Sequence, residues 1–430
     1  MKIREISVIL HPSLIVNKAD IMGRERIKLV HIINSMDYGG AEAMLCRLVL
    51  RTDPKRFAAS VVSLIDRLPA AASLKDAGIS VIPMGMKPGV TDPRGFLRLV
   101  RHLKHLRPDV IQTWMDHSNL IGGLANRLAT RAALVWGVHH SEHVAGLTKR
   151  TTLLTVSACA RLSHRLPARV VCCSEKSHAL YRGLGFAPGK LLVIPNGFDT
   201  DAYRPDPDAR RSLREELGLD PETPLIGLVA RYDVLKDHGN FLRAARLLAA
   251  RRPDVKFVLC GRHVDHANAE LVRLVTLAGV TDRVYLLGHR QDGARLQAAL
   301  DIGTSSSVSE AFPLIVGEAM ACGVPCVVTD VGDSSLIVGP YGKVVPPRDP
   351  DALAKAWFDL LAMDREERNL LGRGARERIS ELFDLGMIVG RYETLYTELV
   401  APRRPDKESS RRDQNPPSSH PTPIPKELTR

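Results

Sequence analysis

Two doubly wound parallel α/β sheets in two Rossmann-like domains, facing a central cleft, are the architecture this 430-residue chain predicts. Three observations carry that expectation. Short apolar runs alternate with segments whose apolar residues recur at helical spacing. The alternation begins near Ile27 and restarts at Leu225, with a break near residue 195. At about 150 residues per domain, the length accommodates two or three domains.

In the first series, Lys28–Ile33 reads as a buried parallel strand, followed by Gly39-Gly40 and a helix with Met44, Leu45, Leu48 and Val49 on one face. Strand-like Ala58–Leu64, Ser80–Pro83, Val110–Gln112 and Leu134–Gly137 then alternate with helix-like Leu68–Asp76, Gly95–Leu106 and Asn119–Ala129. Val170–Cys173 and Leu191–Ile194 close the series. Strands of the second are expected at Leu225–Ala230, Lys256–Cys260, Val284–Leu287, Ile302–Ser305 and Cys326–Thr329. The pattern divides the chain into a first domain over 27–195, a second over 196–382 and a C-terminal helix over 383–401 that returns to the first domain. Residues 1–26 carry no turn chemistry tying them to the first strand, and Met22 offers an alternative start; residues 402–430, nearly devoid of apolar side chains, read as a disordered tail.

Composition excludes several classes. At 44% hydrophobic and 25% charged residues, the chain is neither a disordered polymer, nor collagen-like, nor a disulfide-stapled miniprotein. No stretch approaches the ~20 apolar residues of a membrane span. The apolar run after Met1-Lys2-Ile3-Arg4 stops at His11-Pro12, too short for a signal-peptide core, so a cytoplasmic protein is expected. Seven cysteines lie scattered in apolar runs without zinc-ligand spacing and are expected to be reduced, buried thiols. The net charge of +12 favours anionic partners. With only 5% aromatic residues a nucleic-acid stacking platform is not expected, whereas phosphorylated ligands or an acidic lipid surface fit.

The most informative segment runs from Ser309 to Pro325. Pro313 suits a first helical position, and Gly323 and Pro325 are stop signals, so a helix is expected over 313–322 with Ile315, Ala319 and Met320 facing the core. Its first amides, from Leu314 through Ile315 to Val316, would form an anion site beyond the preceding strand. Glu310 before the helix and Glu318 within it suit sugar hydroxyls, which donate to carboxylates. The structural alternative is a capping acid and a solvated helix residue. Arg231 follows a strand at its carboxyl end, with Lys236 five residues on; such a pair can clamp a diphosphate, or can be a surface charge pair in a loop. Gly39-Gly40 permits close backbone approach to a ligand and equally suits a tight turn; it is neither a G-x-G-x-x-G nor a Walker loop.

Taken together these pieces resemble the retaining glycosyltransferases of the GT-B fold, specifically glycosyltransferase family 4. The resemblance covers residues 27–400 and rests on Gly39-Gly40-Ala41-Glu42, Arg231 with Lys236, and the spacing of Glu310 and Glu318. Asn196-Gly197-Phe198-Asp199, Leu287-Gly288-His289-Arg290, Asp330-Val331-Gly332-Asp333 and Gly342-Lys343-Val344-Val345-Pro346-Pro347 add to it. It implies a hexosyl- or related glycosyltransferase without cofactor, acting on a nucleotide diphosphate-sugar such as a UDP- or GDP-sugar in envelope, exopolysaccharide or glycolipid synthesis. Arg231 and Lys236 would hold the diphosphate, Glu310 the transferred sugar, Glu318 the ribose, and main chain at His289-Arg290 the base. Gly39 and Gly40 would let donor and acceptor approach. No metal is implied, and the Asp-Pro-Asp strings at 206–208 and 349–351 read as loops. One departure stands out: relatives carry H-x-H after the strand ending here at Ile111, where this chain has Gln112-Thr113-Trp114-Met115-Asp116-His117. His117 is the candidate for that role, with His139 and His140 as others. Two further readings are a sugar-nucleotide epimerase and a non-catalytic sugar-nucleotide-binding module.

Residues 94–107 form a basic amphipathic helix with Phe96, Leu97, Leu99, Val100, Leu103 and Leu106 on one face and Arg98, Arg101, Lys104, His105 and Arg107 largely outside it. Either its charges are simply solvated, or they rest on an anionic leaflet and give a peripheral enzyme access to a lipid-linked acceptor sugar.

Overall fold

The structure, a computed structural model, describes residues 26–87, 92–140 and 149–401. The readings of residues 1–25 and 402–430 lie outside the described residues.

The first sheet holds β1 (Ile27–Ile33), β2 (Phe57–Ser63), β3 (Val81–Pro83), β4 (Val110–Trp114), β5 (Ala133–Val138), β6 (Arg169–Cys172) and β7 (Leu191–Val193). All pairs are parallel, in the order β3-β2-β1-β4-β5-β6-β7. Ile33 pairs with Trp114 and Trp114 with Gly137, so three strands end level along one carboxyl edge. The second sheet holds β8 (Leu225–Val229), β9 (Lys256–Cys260), β10 (Val284–Leu286), β11 (Ile302–Ser305), β12 (Cys326–Thr329) and β13 (Gly342–Val345), parallel in the order β10-β9-β8-β11-β12-β13. β13 is absent from the sequence expectation. It is a short edge strand with half-exposed side chains and lacks the continuous apolar run of a central parallel strand.

The central strands are largely apolar because helices cover both faces of each sheet. Leu29, Ile33 and Trp114 of the first sheet share a buried cluster with Leu385, Ile388, Val389, Tyr392 and Tyr396 of the Leu385–Val400 helix. The chain thus crosses to the second domain and returns. The crossing is held by Phe198, fully buried against Phe312 and Phe383, whose N–H donates to the Phe383 carbonyl and whose carbonyl accepts from Leu385. A Phe in such a site contributes roughly 1.5–3 kcal/mol of apolar burial.

Both Asp-Pro-Asp strings are helix starts rather than loops. Asp206 accepts from the Asp208 and Ala209 amides at 2.9 and 3.0 Å, and Asp349 from the Ala352 amide at 2.9 Å, each with proline at the first helical position. An aspartate cap beside a proline that lacks the orphan N–H is the physical reason. All seven cysteines are buried and unpaired.

Candidate active site

In an open parallel sheet, loops part where the strand order reverses, leaving a crevice at the carboxyl ends. Here the reversals fall between β1 and β4 and between β8 and β11, and the two crevices face each other across one cleft of about 800 Å³. From the first domain it is lined by Asp37 to Glu42, Met115, His139 and His140; from the second by Arg231, Lys236, Arg262, His289, Glu310, Leu314, Ile315 and Glu318, among others.

On the second domain, the chain leaves β8 through Arg231, whose half-exposed guanidinium pairs with Asp233 at 3.2 Å. Asp233 also accepts from the Leu235 amide at 2.9 Å, starting the short turn that delivers Lys236. The Lys236 ammonium is ion-paired with Glu310, which also accepts from Ser307 Oγ at 2.7 Å. Ser306 Oγ donates to the Lys236 carbonyl at 2.9 Å, so the loops after β8 and β11 are tied together. The Asp330-Val331-Gly332-Asp333 segment braces Glu310 from behind. Gly332 has φ 53°, and a Cβ there would lie 2.1 Å from the Glu310 carbonyl oxygen, so only glycine fits. Asp333 then reaches the other domain, accepting from the Glu175 and Lys176 amides at 2.7 and 3.1 Å.

The helix after Glu310 spans Leu314–Ala321, one residue later than expected. Pro313 is its extended N-cap, not its first residue, and the Pro313 carbonyl accepts from the Val316 amide at 3.3 Å. Leu314 and Ile315 line the cleft, whereas Val316 is buried and does not. Ile315 packs against the core cluster, as Ala319 and Met320 do, and also reaches the cleft. A segment this uniformly apolar carries no periodicity from which its facing can be read. Glu318 is not a solvated helix residue: it is largely buried, lines the cleft and is ion-paired with Arg47 of the first domain.

On the first domain, Gly39 caps the Gly40–Arg51 helix, and a Cβ there would lie 2.4 Å from Glu42 Oε2. A Cβ on Gly40 would lie 3.8 Å from Leu314 Cδ1, so the glycine turn meets the opposing helix start across the cleft. Burial lifts the Glu42 carboxyl above its ordinary range, against the pull of its own backbone N–H and of Arg231. Farther along, Asp37 pairs with Arg262 at 2.8 Å, and the Tyr38 ring lies 4.9 Å from His289. Met115, just past β4, adopts φ 73°, a conformation costing a non-glycine residue on the order of 1–3 kcal/mol.

His117 is not among the residues lining the cleft; it sits in the first turn of the Asp116–Ala129 helix. The β5 end supplies His139 and His140 instead. His139 stacks on Trp114 at 5.2 Å and 19°, and loss of hydration pushes it down to about 3. The signal for it was present: two histidines directly after a buried strand. At His289-Arg290, where the resemblance places main chain at the base, the two side chains part. Only His289 lines the cleft, while the Arg290 side chain is bound to Glu216 at 2.7 Å and Asp292 at 2.6 Å. Among the described residues no three His, Cys, Asp or Glu side chains are grouped to hold a metal ion, and no helix is long and apolar enough to cross a membrane.

Comparison with known proteins agrees with this geometry. Residues 38–202 match the model of Glycosyltransferase Family 4, and residues 223–363 that of Glycosyl transferases group 1. The UDP-Gal:alpha-D-GlcNAc-diphosphoundecaprenol alpha-1,3-galactosyltransferase of Escherichia coli is 26% identical over 322 residues, covering 72% of this chain and 81% of that protein. The N,N'-diacetylbacillosaminyl-diphospho-undecaprenol alpha-1,3-N-acetylgalactosaminyltransferase of Campylobacter jejuni is 26% identical over 340 residues, covering 76% and 88%. HepE of Anabaena, solved in complex with UDP and glucose, superposes with a TM-score of 0.76 at 24% identity, covering 87% of this chain and all of that one. With both half-models matched in order on two facing parallel sheets, the chain belongs to the group 1 glycosyltransferases of family 4 and has their GT-B fold.

Proposed function

We propose that this glycosyltransferase moves a sugar from a nucleotide diphosphate-sugar to an acceptor hydroxyl with retention of anomeric configuration. One observation carries the reading: cations from the loop after β8 meet, on one cleft wall, a helix N-terminus and two carboxylates from the loop and helix after β11. Phosphate suits the first two and sugar hydroxyls the last. Arg231, Lys236 and the first amides of the Leu314–Ala321 helix hold the diphosphate, Glu310 the transferred sugar, Glu318 the ribose, and the chain at His289 the base. The Gly39-Gly40 turn brings the first domain against the donor. Retention of this whole set argues against a degenerate binding module.

Breaking the sugar–phosphate bond builds negative charge on the departing diphosphate. Arg231 and Lys236 meet that charge without a metal, and most of the rate gain comes from this and from positioning. In a same-face reaction the acceptor oxygen bonds to the anomeric carbon as the phosphate oxygen leaves, and the leaving oxygen takes the acceptor proton. No protein nucleophile takes part. His139, neutral and at the cleft, takes the sugar-facing role first assigned to His117.

The acceptor is a lipid-linked sugar in this reading, in envelope polysaccharide or glycolipid synthesis. Support comes from the diphosphoundecaprenol acceptors named for the two bacterial relatives. A second support is the basic face of the first domain. Arg94, Arg98, Arg101 and Lys104 of the Pro93–Leu106 helix are exposed. So is Leu97, which departs from the packed face expected for it, and so are Leu128 and Leu154 on the next two helices. Exposed leucines among arginines suit an anionic leaflet, where each Lys or Arg contributes about 1 kcal/mol. Nucleoside diphosphate release from a panel of UDP-, GDP- and ADP-sugars tests the donor assignment: one donor should be cleaved above background, and cleavage of none would contradict it.

A further inference from the structure

We infer that Arg47 is a positioning residue for Glu318, through which the first domain sets the affinity of the second for the nucleotide ribose. The inference rests on the proposed ribose role of Glu318. It goes beyond that role by naming what holds the carboxylate in place.

Glu318 lies two-thirds of the way along a helix that is otherwise almost wholly apolar, and only 11% of its side chain is exposed. A carboxylate in such a place needs partners to stay ionised and to keep one orientation. It has two. Arg47 Nη2 is ion-paired with Oε1, and Tyr203 lies beside the same carboxylate, burial and that charge together raising its phenol. Neither belongs to the helix that carries Glu318. Tyr203 comes from the crossing segment, and Arg47 from the other domain, on the helix whose first residue, Gly40, faces the cleft.

The Arg47 guanidinium does more than pair. It lies 5.9 Å from the centre of the Tyr203 ring and donates to the Gly197 carbonyl at 3.5 Å. One planar fork thus touches the crossing segment, the tyrosine and the carboxylate, an arrangement an ammonium would not reproduce. One turn later Arg51 pairs with Asp199 at 2.7 Å, fastening the same helix to the same segment. With Oε1 fixed by Arg47, the remaining oxygen of Glu318 is oriented to accept from a ribose hydroxyl. Movement of the first domain away from the second withdraws Arg47 and releases that orientation. Ribose binding and domain closure are therefore coupled through this one side chain.

The test compares binding of whichever of UDP, GDP and ADP binds most tightly with binding of its 2′,3′-dideoxy counterpart. Calorimetry on the full chain would cover wild type, Arg47→Met, Arg47→Lys, Glu318→Gln and the Arg47→Met/Glu318→Gln double variant. Wild type should prefer the ribonucleotide by about tenfold or more, the range of a hydrogen bond to a charged group. Glu318→Gln and Arg47→Met should each bring the ratio close to one, Arg47→Lys should restore part of it, and the double variant should lose nothing more. A merely structural Arg47 would weaken both nucleotides alike and leave the ratio at its wild-type value, which would overturn the inference. In that event, loss of the ratio in Glu318→Gln would leave the ribose reading standing. A wild-type ratio of one, or an unaltered ratio in Glu318→Gln, would overturn the ribose reading and this inference with it. Should Arg47→Met fail to fold, the ratio in Arg47→Lys decides: a value between wild type and Glu318→Gln supports the coupling, and the wild-type value overturns it.

Discussion

The Lys236 ammonium and the Glu310 carboxylate are ion-paired on the cleft wall, each carried by a loop leaving a different, adjacent strand of the second sheet. Their side chains are 21% and 11% exposed, so each is more desolvated than a surface pair. In the proposed reaction the two exchange partners when the donor arrives, the ammonium for diphosphate and the carboxylate for sugar hydroxyls. The pairing keeps both side chains aimed along one wall of the cleft.

Replacing Lys236 by Ala should lower kcat by about 10²–10³, because its charge is wanted most on the departing diphosphate. Binding of the nucleoside monophosphate should change far less. Steady-state kinetics alongside monophosphate titration checks this, and near wild-type turnover would remove Lys236 from the site.

Glu318→Gln and Glu310→Gln should separate kinetically. Ribose contacts are made in ground and transition states alike, so Glu318→Gln should chiefly raise the donor KM. Glu310→Gln should instead lower kcat or relax the choice of donor sugar. The same kinetic profile in both variants would defeat this division of roles.

Much of this site was legible before the fold was known, and the reason is local. Arg231, Lys236, Glu310 and Glu318 lie beside strand ends marked by apolar runs and helix starts marked by Pro and Gly, signals that need only a few neighbouring residues. What was not legible is what crosses the cleft. Arg47 and Glu318 stand 271 residues apart, and Arg262 and Asp37 stand 225 apart. No periodicity links such pairs, because only the facing of the two sheets brings them together. Which side chains of the Leu314–Ala321 helix reach the cleft was hidden for a different cause, a helix apolar on nearly every side. His139 stood beside His117 and His140 as a candidate, and its place at the cleft follows from the level ends of β4 and β5, which no local signal gives.

Acid should destabilise the protein from pH 6.5 downward. His31 and His238 are fully buried, and burial lowers them to about 3 and about 4. Folding favours the neutral rings, so their contribution is present above the unfolded value of about 6.5 and is lost as pH falls toward 4 and 3. Each costs up to about 1.4 kcal/mol per pH unit in that window. Urea unfolding at pH 7 and pH 5 should show a clear fall in the midpoint, reduced in His238→Gln. Equal midpoints at the two pH values would contradict the account.

Vesicle co-sedimentation examines the basic face. Binding should require anionic lipid, weaken with salt, and fall when Arg98, Arg101 and Lys104 are changed to Ser, with donor cleavage in solution unchanged. Equal binding to neutral vesicles, or no binding to either, would leave a soluble acceptor.

The most direct test of the central claim is the fate of the donor sugar, followed by proton NMR from the first minute of reaction with the cleaved nucleotide-sugar and no acceptor. Same-face chemistry with water in place of the acceptor predicts that free sugar appears first as the anomer the donor carried and only then mutarotates. Appearance of the opposite anomer first, or of an epimerised sugar still attached to its nucleotide, would contradict a retaining transfer at this cleft.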